Sequence, residues 1–300
     1  MTSATIVVET TQASRGTLPG LRRVTRSILR SKPATLGFAL VILHILLAIL
    51  APLIAPGNPT ENNPAAVLQL PGGPFPLGTD TLGRDILSRT LYGGQYALAV
   101  SFASTALAVI LGTVIAGLAA FYGGWVDQVI TRLLDSVLAV PAILAMLVLV
   151  TVFGSGPEVI VLAVVVVYTG GVTRVVRAAA MDVMPKDYIV AARARGEGVF
   201  YILSREVFPN ILDVVLVEFA MRASWVVLLV SSLSFLGFGA NPPTPDWGLM
   251  VAENRSLMAV VPLATLAPIV FLATLIVGLN LAADGLAKSL GVDRMKEILG

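Results

Sequence analysis

An all-α integral membrane protein with about six transmembrane helices and both termini in the cytoplasm is the fold class this sequence predicts. Three observations predict it. The 300-residue chain is 56% hydrophobic and only 13% charged, with a mean hydropathy of +0.88, whereas a soluble domain carries about 25% charged residues. So apolar a chain has too little polar surface to cover a water-exposed globule, and lipid must solvate part of it. The apolar residues also gather into six runs long enough to cross a bilayer, and the basic residues fall almost entirely on alternate connections between them.

The runs are 34–55, 97–121, 133–153, 158–176, 212–236 and 262–283, each close to the roughly 20 apolar residues that span a bilayer as a helix. The alternating segments of a membrane barrel are absent, so helices follow. Before the first run lies a basic cluster of Arg22, Arg23, Arg26, Arg30 and Lys32. The apolar stretch after it is too long for a signal peptide and lacks a small-residue cleavage site, so it reads as a retained first span. The third and fourth runs are separated only by Gly154-Ser155-Gly156-Pro157, a tight turn that predicts an antiparallel hairpin. The fourth run is rich in β-branched residues from Val159 to Val167. In lipid it still reads as helix, which satisfies its own backbone.

With the N-terminus inside, the inner segments collect Arg15, Arg22, Arg23, Arg26, Arg30, Lys32, Arg132, Arg174, Arg177, Lys186, Arg193, Arg195, Arg205, Lys288, Arg294 and Lys296. The outer segments hold only Arg84, Arg89 and Arg255, and Arg222 falls within a span. The predicted organisation is a cytoplasmic segment 1–33, a first span with a Pro-rich outer loop over 34–95, a five-span core over 96–290 that includes a cytoplasmic loop at 177–211, and a tail at 291–300.

The inventory excludes several chemistries. With no cysteine and one histidine, His44, there is no thiolate site, iron–sulfur cluster or multi-histidine metal site. A net charge of +2 gives no argument for nucleic-acid binding. No Gly-x-x-x-x-Gly-Lys-Ser/Thr phosphate loop occurs, so the chain should not hydrolyse ATP itself. A membrane-embedded enzyme would lack a catalytic set, since only His44 is offered as a base. An ion-coupled secondary transporter or channel would be supported by inverted repeats and interrupted midplane helices, and neither is legible. A non-transporting scaffold subunit stays open.

The inner segment is the most informative. It reads Asp187-Tyr188-Ile189-Val190-Ala191-Ala192-Arg193-Ala194-Arg195-Gly196 and continues to Val207-Phe208-Pro209-Asn210. The alanine- and arginine-rich part predicts a helix, Gly196 permits a left-handed residue at its end, and Pro209 stops or redirects the next helix. A short helix, a sharp turn, a second helix and re-entry into the membrane follow. On pattern alone an ordinary amphipathic loop is equally open. At the outer face, Gly78-Thr79-Asp80-Thr81-Leu82-Gly83-Arg84-Asp85 forms a charged, glycine-flanked cap that either stages the second span or contacts a binding protein. The Pro-rich stretch 241–245 with Trp247 reads as an outer mouth or an interfacial anchor. Glu218 and Arg222 lie four apart on the fifth span, hence on one face. They either neutralise each other in the bundle or line a wet pathway. His44 in the first span reads as a packed or interhelical hydrogen-bonding residue, and Asp135 and Asp284 sit near inner ends where water reaches them.

Three of these segments carry a resemblance. Ala191-Ala192, Gly196 and Phe208-Pro209-Asn210 are similar to the coupling loop of type I ABC importer permeases, whose pattern is Glu-Ala-Ala, then Gly, then a hydrophobic-Pro pair. Val190 stands where the family has Glu, and Arg195 where it often has leucine. Gly78 to Asp85, followed by Tyr92-Gly93-Gly94, resembles the segment before the second span in dipeptide and oligopeptide permeases. Leu233-Ser234-Phe235-Leu236-Gly237-Phe238-Gly239 followed by Pro245-Asp246-Trp247-Gly248 is the third match. Together they cover most of 30–290 and identify the chain as similar to the C-type permease subunit of a dipeptide, oligopeptide or nickel ABC importer. The resemblance implies a second, homologous permease, two ATP-binding subunits that hold ATP and Mg, and an external substrate-binding protein in a prokaryotic inner membrane. No cofactor is expected in this chain. Similar permeases handle dipeptides, longer peptides, nickel chelates and haem, and peptides are the expected cargo.

Overall fold

The computed structural model describes residues 21–291, so the expectations for Arg15, Arg294, Lys296 and the residues beyond 291 lie outside the described part. The helices are α1 (Leu21–Arg30), α2 (Lys32–Ile54), α3 (Ile86–Tyr122), α4 (Gly124–Leu138), α5 (Ala142–Phe153), α6 (Pro157–Val183), α7 (Asp187–Ala194), α8 (Val199–Tyr201), α9 (Leu212–Phe235), α10 (Trp247–Asn254) and α11 (Leu263–Leu290). Among the described residues only isolated bridges, Gly72 with Phe75 and Thr79 with Asp85, are β-like. Five helices are long and apolar enough to cross a membrane, and α4 with α5 makes a sixth. The six expected spans thus appear in their expected order.

Two of them differ in shape. The second was expected from residue 97, yet α3 begins at Ile86. Asp85 caps it, accepting the Ser88 N–H at 2.7 Å, and the Gly93-Gly94 pair lies inside the helix. Packing overrides propensity there. A Cβ on Gly93 would lie 2.8 Å from Trp247 Cδ1, and one on Gly94 3.1 Å from its Cζ2, so the glycines make room for an indole. The third span is not one helix: α4 and α5 meet at 84°. Pro141 has no N–H to give and forces the residue before it out of the helical region. The last turn of α4 closes on Ala139 N–H to Asp135 O at 3.0 Å, and α5 starts afresh after Pro141.

The tight turn at Gly154, with φ of 98°, joins α5 to α6 as expected. Small residues set the closest helix approaches, as they do where lipid offers no hydrophobic drive. Between α3 and α6, a Cβ on Gly112 would sit 2.7 Å from Val172 Cγ1, and Thr173 Oγ1 donates to Gly112 O at 3.2 Å. Between α2 and α11, a Cβ on Gly278 would meet Leu40 Cβ at 2.8 Å. The outward sides carry exposed Leu43, Ile49, Ile110, Val148, Leu162 and Val270, the surface lipid would cover.

His44 is a packing residue, as expected. Its Nδ1 donates to Leu40 O at 2.8 Å and its Nε2 lies 3.1 Å from Thr274 Oγ1 on α11. Its ring meets those of Trp247 and Phe271 edge-on at 6.2 and 5.7 Å. Trp247 corrects the sequence reading. It is fully buried, its Nε1 donating to Thr90 O at 2.8 Å, so it is neither an interfacial anchor nor a mouth residue. An indole whose N–H finds a carbonyl inside the bundle gains more from burial than from the headgroup layer.

Candidate functional site

Chemistry-bearing residues gather at the two ends of the bundle and at one place between them. The end carrying α7 and α8, here the basic end, is built on a continuous apolar core. Ile189, Ala192, Ile202 and Val207 are buried with Ala116 of α3 and Val172, Val176 and Ala180 of α6. The predicted helix–turn–helix is present. α7 ends at Ala194, Gly196 takes the left-handed φ of 81°, and α8 runs into a π-helical turn over Ile202–Val207 and a 3₁₀ turn over Phe208–Asn210. Phe208 enters the core against Gly117, where a Cβ would lie 2.7 Å from its Cε1. Asn210 Nδ2 donates to Glu206 O at 2.6 Å.

The alanine pair splits. Ala192 faces inward and is buried, whereas Ala191 faces outward with Val190, Arg193, Ala194 and Arg195. Arg193 turns back to its own chain, donating to Phe121 O at 3.2 Å with its guanidinium 4.6 Å from the Phe121 ring centroid. Arg195 approaches Glu197 at 3.7 Å on the surface, a pairing worth little in water. The most exposed large apolar side chain of the segment is Phe200, at 85%. Nothing in the sequence marked it, because one aromatic in a polar loop has no periodic partner. Beside the segment, Asp127 of α4 takes Arg177 of α6 in a two-pronged pair through Nε and Nη2, tying the broken span to the core.

At the opposite end the outer motif folds into a buried ion network. Asp80 accepts the N–H groups of Leu82 and Arg84 at 2.9 and 3.0 Å and Arg84 Nε at 2.7 Å. Arg89 Nε lies 3.6 Å from the same carboxylate. Glu253 of α10 closes the group, its Oε2 accepting Arg84 Nη2 at 3.0 Å and Arg89 Nη2 at 3.1 Å. Gly78 and Gly83 turn the chain with φ of 82° and 72°, and Thr79 Oγ1 donates to Ala66 O. Asp85 is not in the network; it caps α3. Arg89 and Asp80 are each only 1% exposed, a geometry that favours the staging of the second span over contact with another protein. The sequence reading missed Arg89 and Glu253 as members. Arg89 lies in the stretch taken for loop, and Glu253 is 164 residues from it in the chain.

At the start of the helix that carries Glu253, Asp246 caps α10. It accepts Leu249 N–H at 3.1 Å and Ser234 Oγ–H at 3.1 Å. Burial pushes its carboxyl up from 3.8 to about 6, against the hydrogen bonds from Leu249, Ser234 and Gly248. Because the folded value lies above the unfolded one, burying the carboxylate costs stability above about pH 6. That cost disappears as pH falls toward the unfolded value of 3.8. The shift corresponds to about 3 kcal/mol. Asp246→Asn keeps a capping acceptor, so in detergent-solubilised protein the gain in thermal stability of the native chain over the variant should grow between pH 6 and pH 4. A difference that stays flat across that interval would contradict the linkage.

Between the ends, Glu218 and Arg222 pair on α9 as their spacing predicts, with Arg222 Nε 2.6 Å from Glu218 Oε1. The Arg222 guanidinium lies 5.8 Å from the Tyr168 ring centroid on α6. Nearer the basic end, Arg174 meets Asp135 at 2.5 Å, both largely exposed. No group of three or more metal-ligating side chains occurs among the described residues.

Comparison with known proteins agrees with this architecture. Residues 108–292 match the model of the binding-protein-dependent transport system inner membrane component family. Residues 21–71 match that of the N-terminal transmembrane domain of oligopeptide transport permease C. The dipeptide transport system permease protein DppC of Haemophilus influenzae is 35% identical over 267 residues, 87% of this chain and 90% of that protein. Its namesake in Alkalihalophilus pseudofirmus is 32% identical, covering 90% and 88%. The glutathione transport system permease protein GsiD of Pectobacterium atrosepticum is 34% identical, covering 90% of each chain. By this match, and with five to six candidate membrane spans, the chain belongs to the binding-protein-dependent transport system inner membrane component family, the multi-pass permease subunits of ABC importers.

Proposed function

We propose that this chain forms half of the translocation pathway of an ATP-driven peptide importer and couples it to a cytoplasmic ATPase through the segment from α7 to Asn210. The observation that carries the reading is the two-sided construction of that segment. Its inner side, Ile189, Ala192, Ile202 and Val207, is continuous with the core of α3 and α6. Its outer side presents Val190, Ala191 and Phe200 to whatever lies beyond the basic end. A surface so joined to the spans would move them as it moves, a rigid-body switch between inward-open and outward-open states. Peptide cargo is supported by the dipeptide and glutathione names of the relatives.

In this reading the basic end, with Arg177, Lys186, Arg193, Arg195 and Arg205, faces the cytoplasm, and so do both termini. A second, homologous permease closes the pathway. Two ATPase subunits hold ATP and Mg, and an external binding protein delivers the peptide. The test is affinity purification of the tagged chain from gently solubilised native membranes. Recovery of a second permease and phosphate-loop ATPases is the expected result; recovery of the chain alone, active without ATP, would overturn the reading. Gly196→Val puts a β-branched residue at a left-handed φ of 81° with open space around it. The strain, about 1–3 kcal/mol, falls on the turn rather than on packing. Peptide uptake should drop several-fold while the complex still assembles, and undiminished uptake by a well-expressed variant would remove the segment from coupling.

A further inference from the structure

We propose that Arg222 receives the α-carboxylate of the peptide in transit, a role that rests on the peptide-importer reading above. Arg222 lies near the middle of the 24-residue α9, where a charged side chain is costly unless it faces water or protein. It is not sealed in the bundle: its side chain is 26% exposed, against 8% for Glu218. Glu218 engages it through Nε alone. Among the described residues no hydrogen bond is formed by Nη1 or Nη2, so the outer edge of the guanidinium keeps its donors unused. That edge can grip a carboxylate with two parallel N–H···O bonds.

The neighbouring helix lets the guanidinium approach it closely. Gly171 of α6 lies beside it, and a Cβ there would stand 2.9 Å from both Nη1 and Nη2. The Tyr168 ring flanks the guanidinium one helical turn away, so the group is held in place by a carboxylate on one edge and an aromatic beside it. Tyr168, Gly171 and Arg174 share a face of α6 at helical spacing, and the open Arg174–Asp135 pair continues the polar file toward the basic end. Glu218 thereby acts as a positioning residue. It neutralises the arginine at rest, so that an anion binds a balanced pair rather than an unpaired cation, and leaves.

The experiment uses the whole importer in proteoliposomes, with the binding protein supplied saturated with either alanyl-phenylalanine or its C-terminal carboxamide. Saturation removes the binding protein's own preference from the rates. The variant is Glu218→Gln with Arg222→Gln, which deletes both charges together and strands neither. Arg222→Lys keeps the charge but not the fork. We expect the native importer to move the acid faster than the carboxamide. The double variant should lower the acid rate about tenfold, to that of the carboxamide, with Arg222→Lys in between. Equal loss for both peptides, loss for neither, or a native importer indifferent to the carboxylate would each overturn the role of Arg222. A native importer that moves neither dipeptide would sink the peptide reading itself and this role with it.

Discussion

Arg89→Met is expected to destabilise the bundle by about 3–5 kcal/mol, a fall in melting temperature on the order of 10 °C. The methionine fills much of the volume, so the loss is electrostatic. Arg89 is buried, holds Glu253 Oε2 at 3.1 Å and stands 3.6 Å from Asp80. It also donates from Nη1 to Pro59 O at 3.4 Å. Its removal leaves two carboxylates sharing Arg84 alone, with Asp80 buried and Glu253 only 25% exposed. Removing one partner of a buried ion group costs more than the group contributes net, because the remaining charge stays desolvated. Adding Asp80→Asn should therefore recover part of the loss by restoring charge balance. Thermal unfolding of the purified chain in detergent measures both, and a single variant melting within a degree of the native protein would mean that the network carries no such charge.

Trp247→Ala is expected to cost about 3–5 kcal/mol as well, through a cavity rather than a charge. The indole fills a chamber bounded by Gly93 and Gly94 of α3, by His44 and by Phe271. None of these can collapse into the space, since the glycines have no side chain and the two rings are held by their own contacts. Trp247→Phe keeps most of the volume and loses the bond to Thr90 O, for about 1 kcal/mol. The ordering Ala below Phe below native in the same melting assay is the signature of packing. An alanine variant as stable as the native chain would return Trp247 to an interfacial role.

Much of this fold is written in hydropathy. The first, fourth, fifth and sixth spans begin or end within a few residues of the expected limits at most of their boundaries, because lipid imposes a length and a polarity on each. What hydropathy does not carry is what happens where the chain leaves lipid. Ile86 to Tyr96 reads as loop because Arg89, Gly93, Gly94 and Gln95 interrupt the apolar run. Each is explained only by a residue distant in sequence: Glu253 for Arg89, Trp247 for the glycines, and Ala48, whose carbonyl accepts Gln95 Nε2 at 2.8 Å. The break at Pro141 was audible in the proline, but an apolar run on either side hid it. In the segment from α7 to Asn210, Gly196 and Phe208 are legible from backbone chemistry. The outward turn of Phe200 was not, since which side of a short helix faces the core is decided by α3 and α6. For Glu218 and Arg222 the spacing gave the pair, whereas the close seat of the arginine on α6 depends on Gly171 in another helix.

The length of α3 has a mechanical consequence. Its 37 residues contain no proline and extend about 55 Å, well beyond the roughly 30 Å of a hydrocarbon layer. One stiff strut therefore joins the ion network at Arg89 to the aromatic contact of Phe121 with Arg193, and it packs closely on α6 at Gly112. Gly112 lies far nearer Tyr122 than Ile86, so the two arms are unequal, about 15 and 39 Å by helical rise. A tilt of about 5° about that contact carries Tyr122 through about 1 Å and Ile86 through about 3 Å. The strut is a lever that magnifies. A slight push under α7 would arrive at the opposite end enlarged more than twofold, at the buried arginines, whose ion pairs it has to strain.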